Sequence, residues 1–234
     1  EIQKVYKIQK GRVITNYNAA EESEILPFEY TRNKHQIVTT ARLVAWKGVD
    51  GTIRAIEILK IKYPDVKFII AGDGPEMENL KKLTLRLNLQ DSIEFLGNVS
   101  RAETWRLRQT SEVYTLNSTY EGLPHTVLTS FAAGIPTVAT DIPGTNEAVY
   151  HEKTGLLVKP NHPEEMAEAI AKLFEDKGLQ ERLVENGKKL LEEKRKEYVS
   201  PFQEHVKEIN DAFKTFMEPI EIADKITREK ILAF

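Results

Sequence analysis

The chain has 234 residues, 41% of them hydrophobic and 29% charged, enough to bury a substantial core as one large domain or two small ones. Lys and Arg total 33 against 36 Asp and Glu, a net charge of −3, so no global basic field points to nucleic acid or to an anionic membrane. The absence of cysteine excludes disulfides and thiol chemistry, and no apolar run is long enough to span a bilayer.

Ile2, Val5 and Ile8 recur at spacings of three, a helix that ends at Gly11, and 12–17 reads as a strand before an acidic, irregular stretch. QIVTTA, residues 36–41, is the next strand. The run Arg42 to Gly48 then leads into a helix from Val49 to Lys62, whose apolar face is Ile53, Ala55, Ile56 and Leu59. Arg42 follows the strand's C-terminal end and Lys47 precedes the helix, the place where open α/β sheets bind ligands. A planar guanidinium beside a compact ammonium suits a diphosphate. Two ordinary cations on a solvated loop satisfy the same spacing. Trp46 reads as packing or surface.

VKFIIA, residues 66–71, is a continuous apolar strand of the kind buried in parallel sheets. Gly72-Asp73-Gly74-Pro75 turns from it into a helix over 76–87, and its glycines serve either a ligand's close approach or the turn itself. A strand over 92–96 and a helix over 101–109 follow.

Residues 113–149 carry the most information. VYTL is a strand, Gly122 breaks the chain, Pro124 suits a first helical position, Gly134 and Pro136 close the helix, and TVAT is a strand again. This is a βαβ unit whose loop delivers the chain to a helix N-terminus, where free N–H groups and the dipole favour an anion. Glu121 stands at that point, either reaching ligand hydroxyls or only complementing the dipole, an effect of about 0.3–1 kcal/mol. His125 in the first turn suits the surface better than a ligand contact. The other histidines, His35, His151, His162 and His205, show no metal spacing. TDIPGTN is a loop, Glu147 begins a short helix, and 156–159 is the last strand.

From Pro163 the pattern is helical: charged amphipathic helices over 164–174 and 179–196 flank the sheet. Phe202, Val206, Ile209, Phe213 and Phe216 then form an apolar stripe, either core or the face for a partner. Beyond Pro219 a last segment carries Ile222, Ile226, Ile231 and Leu232. Strand candidates alternating with helices from about residue 12 to 160 predict one α/β domain. Its core is a Rossmann-like, doubly wound parallel sheet of about six strands with helices on both faces, followed by C-terminal helices.

The string EGLPHTVLTSFAAGIPTVATDIPGTNEAV, with GDGP upstream and TGLLVKP downstream, resembles the donor-binding domain of family 4, GT-B class retaining glycosyltransferases, over Gly11 to Tyr198. The resemblance implies transfer of a sugar from a UDP-, GDP- or ADP-sugar, with no metal or other cofactor. It implies that Arg42 and Lys47 contact the donor diphosphate and act in catalysis with Glu121, which meets the donor sugar. Gly72, Gly74, Gly122, Leu123, Pro124 and Thr129 complete the implied donor site. One position departs from the pattern. The family's Glu-x7-Glu motif opens at Glu121, but its second carboxylate, which binds the ribose, is Thr129 here. A hydroxyl in its place costs about 1.5–3 kcal/mol of nucleotide affinity, unless Ser130 compensates. A different donor, a weak enzyme and a decayed site all fit that substitution.

The resemblance further implies that 1–234 is one donor domain of a cytoplasmic enzyme. Residues 1–11 are then the remnant of an interdomain linker, and 200–234 pack on an N-terminal acceptor domain outside this chain, through which any membrane contact would run. Such a domain binds donor but transfers little alone. A nucleotide-sugar 2-epimerase, a non-catalytic partner or scaffold, and a carbohydrate-binding module are the alternatives. A carboxylate-pair glycosidase is disfavoured because Glu121 has no second acid at the required spacing.

Overall fold

Six short runs of β-formers supply the strands: β1 (Gln36–Thr40), β2 (Lys67–Ala71), β3 (Ile93–Gly97), β4 (Val113–Leu116), β5 (Thr137–Thr140) and β6 (Leu156–Val158). The computed structural model describes residues 31–198 and 200–232, so the expected helix at 1–9 and strand at 12–17 lie outside the described residues. All neighbouring strands pair in parallel, in the order β3-β2-β1-β4-β5-β6. The winding direction reverses between β1 and β4, and a crevice opens at such a reversal beyond the strands' C-terminal ends.

Seven helices complete the described fold: α1 (Val49–Lys62), α2 (Met77–Arg86), α3 (Arg101–Thr110), α4 (His125–Ala133), α5 (Pro163–Glu175), α6 (Lys177–Tyr198) and α7 (Ser200–Leu232). Successive strand side chains point to opposite faces, so the sheet has two cores. Ile37, Phe68, Ile70, Val113 and Leu156 pack with Ile53 and Ile56 of α1, Leu80 of α2 and Ile170 of α5. Val38, Ile69, Tyr114, Leu116 and Ala139 pack on the other face with Trp105 of α3 and Val127 and Phe131 of α4. Burial on both faces explains why β2 reads as a continuous apolar run.

The chain divides into two compact units, one through Leu191 and one from Glu192. Three expectations are corrected. Pro124 is the extended N-cap of α4, and the helix begins at His125. Glu147 ends a single 3-10 turn, Thr145–Glu147, and starts no helix. Pro219 does not break α7. A proline removes one helical N–H, and on an exposed helix the carbonyl it leaves unpaired turns to water. Val206, Ile209, Phe213 and Phe216 of α7 are exposed.

At the edge of the sheet opposite the crevice, Glu112 is only 3% exposed. It accepts from His35 N at 2.7 Å, from Gln180 Nε2 at 3.2 Å and from Lys177 Nζ. One carboxylate thus ties together the approaches to β1, β4 and α6.

Candidate functional site

Four strand-to-helix loops meet at the C-terminal edge of the sheet. The loop after β1 is pinned by buried Leu43 and Val44, passes through a 3-10 turn at Ala45–Lys47, and reaches α1 through Gly48. Gly48 has φ +59, and a Cβ there would stand 2.0 Å from Asn117 O. Only a glycine permits this approach, which locks the β1 loop to the β4 loop. Asn117 Nδ2 donates to Gly48 O at 3.0 Å and Thr119 N to Trp46 O at 2.8 Å.

That lock brings together two residues 74 apart in the chain. Lys47 Nζ lies 2.5 Å from Glu121 Oε1, with the side chains 20% and 10% exposed. Ser118 Oγ donates to the same oxygen at 2.6 Å, while Oε2 takes no protein donor among the described residues. Immediately afterwards, Gly122 and Leu123 lead to the N-cap Pro124, which offers α4 no side-chain cap. A cation, a half-committed carboxylate and an uncapped helix N-terminus therefore adjoin one another.

The loop after β2 stacks on the loop after β1. A Cβ on Gly72, φ +143, would meet Ala41 O at 1.8 Å, and one on Gly74 would meet Leu43 O at 2.3 Å. The glycines allow one loop's backbone to rest on another, a reason that neither the turn nor ligand approach had supplied. Beside them lies an open cleft of 670 Å³, lined by Thr40, Arg42, Gly72, Asp73, Gly74, Asn98, Val99 and Thr104. Arg42 is exposed there and forms no ion pair among the described residues. Asn98, Val99 and Thr104 were missed from the sequence: single polar and apolar residues around a β3–α3 turn carry no periodic signal.

Thr129 is placed differently from the rest. It is only 6% exposed, and its hydroxyl donates back to His125 O at 3.2 Å and Thr126 O at 3.0 Å. Ser130 is buried and donates to Thr126 O at 2.7 Å, so its hydroxyl is also committed to the helix. Such back-bonding is what short hydroxyl side chains do within a helix. His125 is exposed. Gly144, φ +87, presses the β5 loop against Gly122 O, and Thr140 Oγ1 donates to Ser118 O, so the loop bearing Glu121 is held from both sides.

The profile of the family described as glycosyl transferases group 1 matches residues 22–190. The chain belongs to this family. An uncharacterized glycosyltransferase of Haemophilus influenzae is 35% identical over 135 residues, which are 57% of this chain and 38% of that protein. The crystal structure of Anabaena HepE in complex with UDP and glucose superposes with a TM-score of 0.64 at 25% identity, over 69% of this chain and 44% of that one. The C-terminal domain of a group 1 glycosyl transferase from Francisella tularensis matches with a TM-score of 0.63 at 22% identity, over 70% of this chain and 87% of that one. This chain therefore spans about two fifths of its full-length relatives and corresponds to the GT-B donor-binding domain. Among its described residues no helix is long and apolar enough to cross a membrane.

Proposed function

We propose that the chain binds the nucleotide-sugar donor of a cytoplasmic retaining glycosyltransferase and transfers little without an N-terminal acceptor domain. The observation that carries this reading is the joining of Lys47, Glu121 and the uncapped start of α4 at the sheet's switch point. The diphosphate lies between Arg42, Lys47 and the α4 N-terminus. Lys47 has three donor hydrogens, so it can keep Glu121 and still reach a phosphate oxygen. Glu121 Oε2 accepts from a sugar hydroxyl, and the nucleobase enters the cleft beside Asn98 and Val99.

As the bond from the anomeric carbon to the phosphate oxygen breaks, negative charge grows on the diphosphate. The two cations and the helix dipole are already aimed at that charge, so they stabilise the transition state without a metal. The N-terminal domain presents the acceptor. Residues 200–234 belong with that interdomain contact, whereas a lone scaffold role is favoured only by the inward-turned Thr129.

Thermal denaturation with UDP, GDP, ADP and their sugar conjugates tests the reading. At a hundred times the Kd the matching nucleotide adds about 2.7 kcal/mol, a rise of roughly 5–10 °C for a chain of this size. The double variant Arg42→Ala, Lys47→Ala is expected to lose that rise, and silence of the wild type at millimolar nucleotide would remove the donor-site reading. In the same assay Thr129→Glu is expected to tighten nucleotide binding by about 1.5–3 kcal/mol, because a carboxylate regains the ribose contact. An unchanged midpoint in that variant would mean that position 129 does not face the ribose.

A further inference from the structure

Helix α3 carries a cation that the donor site described above does not use. Arg108 is only 5% exposed, and its neighbour Trp105 belongs with Tyr114 to the apolar core on that side of the sheet. Arg108 Nη2 donates to Thr40 Oγ1 at 2.5 Å, and its guanidinium carbon stands 5.5 Å from the centre of the Tyr114 ring. Nε is buried without an acceptor, and among the described residues no carboxylate pairs with the group.

Interior charges in folded proteins are ordinarily paired, because a lone charge opposes folding. Burial lowers the pKa of Arg108, yet a guanidinium keeps its proton in proteins. The core has therefore retained a positive charge with the hydroxyls of Thr40 and Tyr114 and the Tyr114 ring as its company, and among the described residues no carboxylate. Its position shows what completes the balance. Thr40, which accepts its hydrogen bond, lines the 670 Å³ cleft with Arg42, and so does Thr104, one turn before Arg108 on the same helix. The guanidinium stands one side chain behind the cleft wall. Protein screens less than water, so its field extends into the cleft.

We propose that Arg108 is a buried counter-charge for the diphosphate of the ligand in this cleft, a positioning residue that selects nucleoside diphosphates over nucleosides. This inference rests on the donor-site reading. Arg42 meets the anion at the surface, and Arg108 acts from behind through the wall formed by Thr40 and Thr104. Because it touches no ligand, it changes the preference for charge and leaves recognition of the base alone.

Titration calorimetry of the whole chain tests this, using whichever of UDP, GDP or ADP binds the wild type and the matching nucleoside. One charge at about 10 Å and an effective dielectric constant of about 20 is worth roughly tenfold in affinity. Arg108→Met is therefore expected to reduce the preference for diphosphate over nucleoside about tenfold, with nucleoside affinity unchanged and the ligand-free protein no less stable. Arg108→Lys, which keeps the charge, is expected to retain most of the preference. Arg108→Gln is a second neutral variant should the methionine protein fail to fold. An unchanged preference, or an equal fall for both ligands, overturns the role of Arg108 while leaving the donor site standing. Failure of the wild type to bind any of the three nucleotides overturns both.

Discussion

Gly72→Ala is expected to lower stability by about 2–6 kcal/mol and to displace the loop that carries Arg42. Two effects add. At φ +143 the backbone is in a region that essentially only glycine occupies, where a side chain costs about 1–3 kcal/mol. The new Cβ would also stand 1.8 Å from Ala41 O, so two stacked backbones must part, and overpacking of this kind costs about 1–3 kcal/mol more. Gly97 supplies the control. It has φ +64, but a Cβ there meets nothing within 4 Å, so Gly97→Ala carries the conformational cost alone, about 1–2 kcal/mol. Urea denaturation of the two variants separates crowding from strain. Equal losses would mean that the β1 and β2 loops are not stacked as described, and with them the placement of Arg42 and the cleft would fall.

Glu112→Ala is expected to cost about 3–5 kcal/mol, as removal of one partner from a buried charged cluster generally does. The substitution leaves the buried His35 N–H without its acceptor and removes one of the two acceptors of Gln180 Nε2, together with the partner of the solvent-exposed Lys177. The pH dependence gives an independent reading of the same residue. Burial alone would push the Glu112 carboxyl up. The bonds from Lys177, the His35 N–H and Gln180 outweigh burial and hold it below its ordinary value of 4.5. A carboxyl depressed in the folded state stabilises the protein above its unfolded pKa, and that contribution disappears as pH falls through the folded pKa. The stability gap between wild type and Glu112→Gln should accordingly be full at pH 7 and shrink from about pH 4.5 downward. A gap independent of pH across that range would show that Glu112 is not held ionised by its neighbours.

Much of the architecture can be read from local pattern alone. The helix expected at Val49 to Lys62 has those bounds in the structure, because a glycine precedes it and its apolar residues recur at helical spacing. Gly134 closes α4 in the left-handed conformation, with Pro136 just beyond, as the residue types require. Errors fall where a local rule met a different environment: the segment set apart beyond Pro219 continues α7, and Glu147 lies in a single 3-10 turn.

The sequence by itself determined the α/β class, the order of the elements through β6, the family and the residue types of the candidate site. These follow from short-range causes: turn residues, hydrophobic period and the motif string around Glu121. Only the tertiary structure decided which of those residues meet. Lys47 reaches Glu121 because Gly48 and Asn117 lock two loops, and no periodicity connects positions 74 apart. The Thr129 hydroxyl bonds back to its own helix, a partner that motif spacing does not indicate. Arg108 follows Trp105-Arg106-Leu107 in the chain, and no local pattern there distinguishes it from its neighbour Arg106. Arg108 is buried because α3 rests that face on the sheet behind the cleft, a consequence of strand order, and strand order is set by long-range packing that local residue types do not encode.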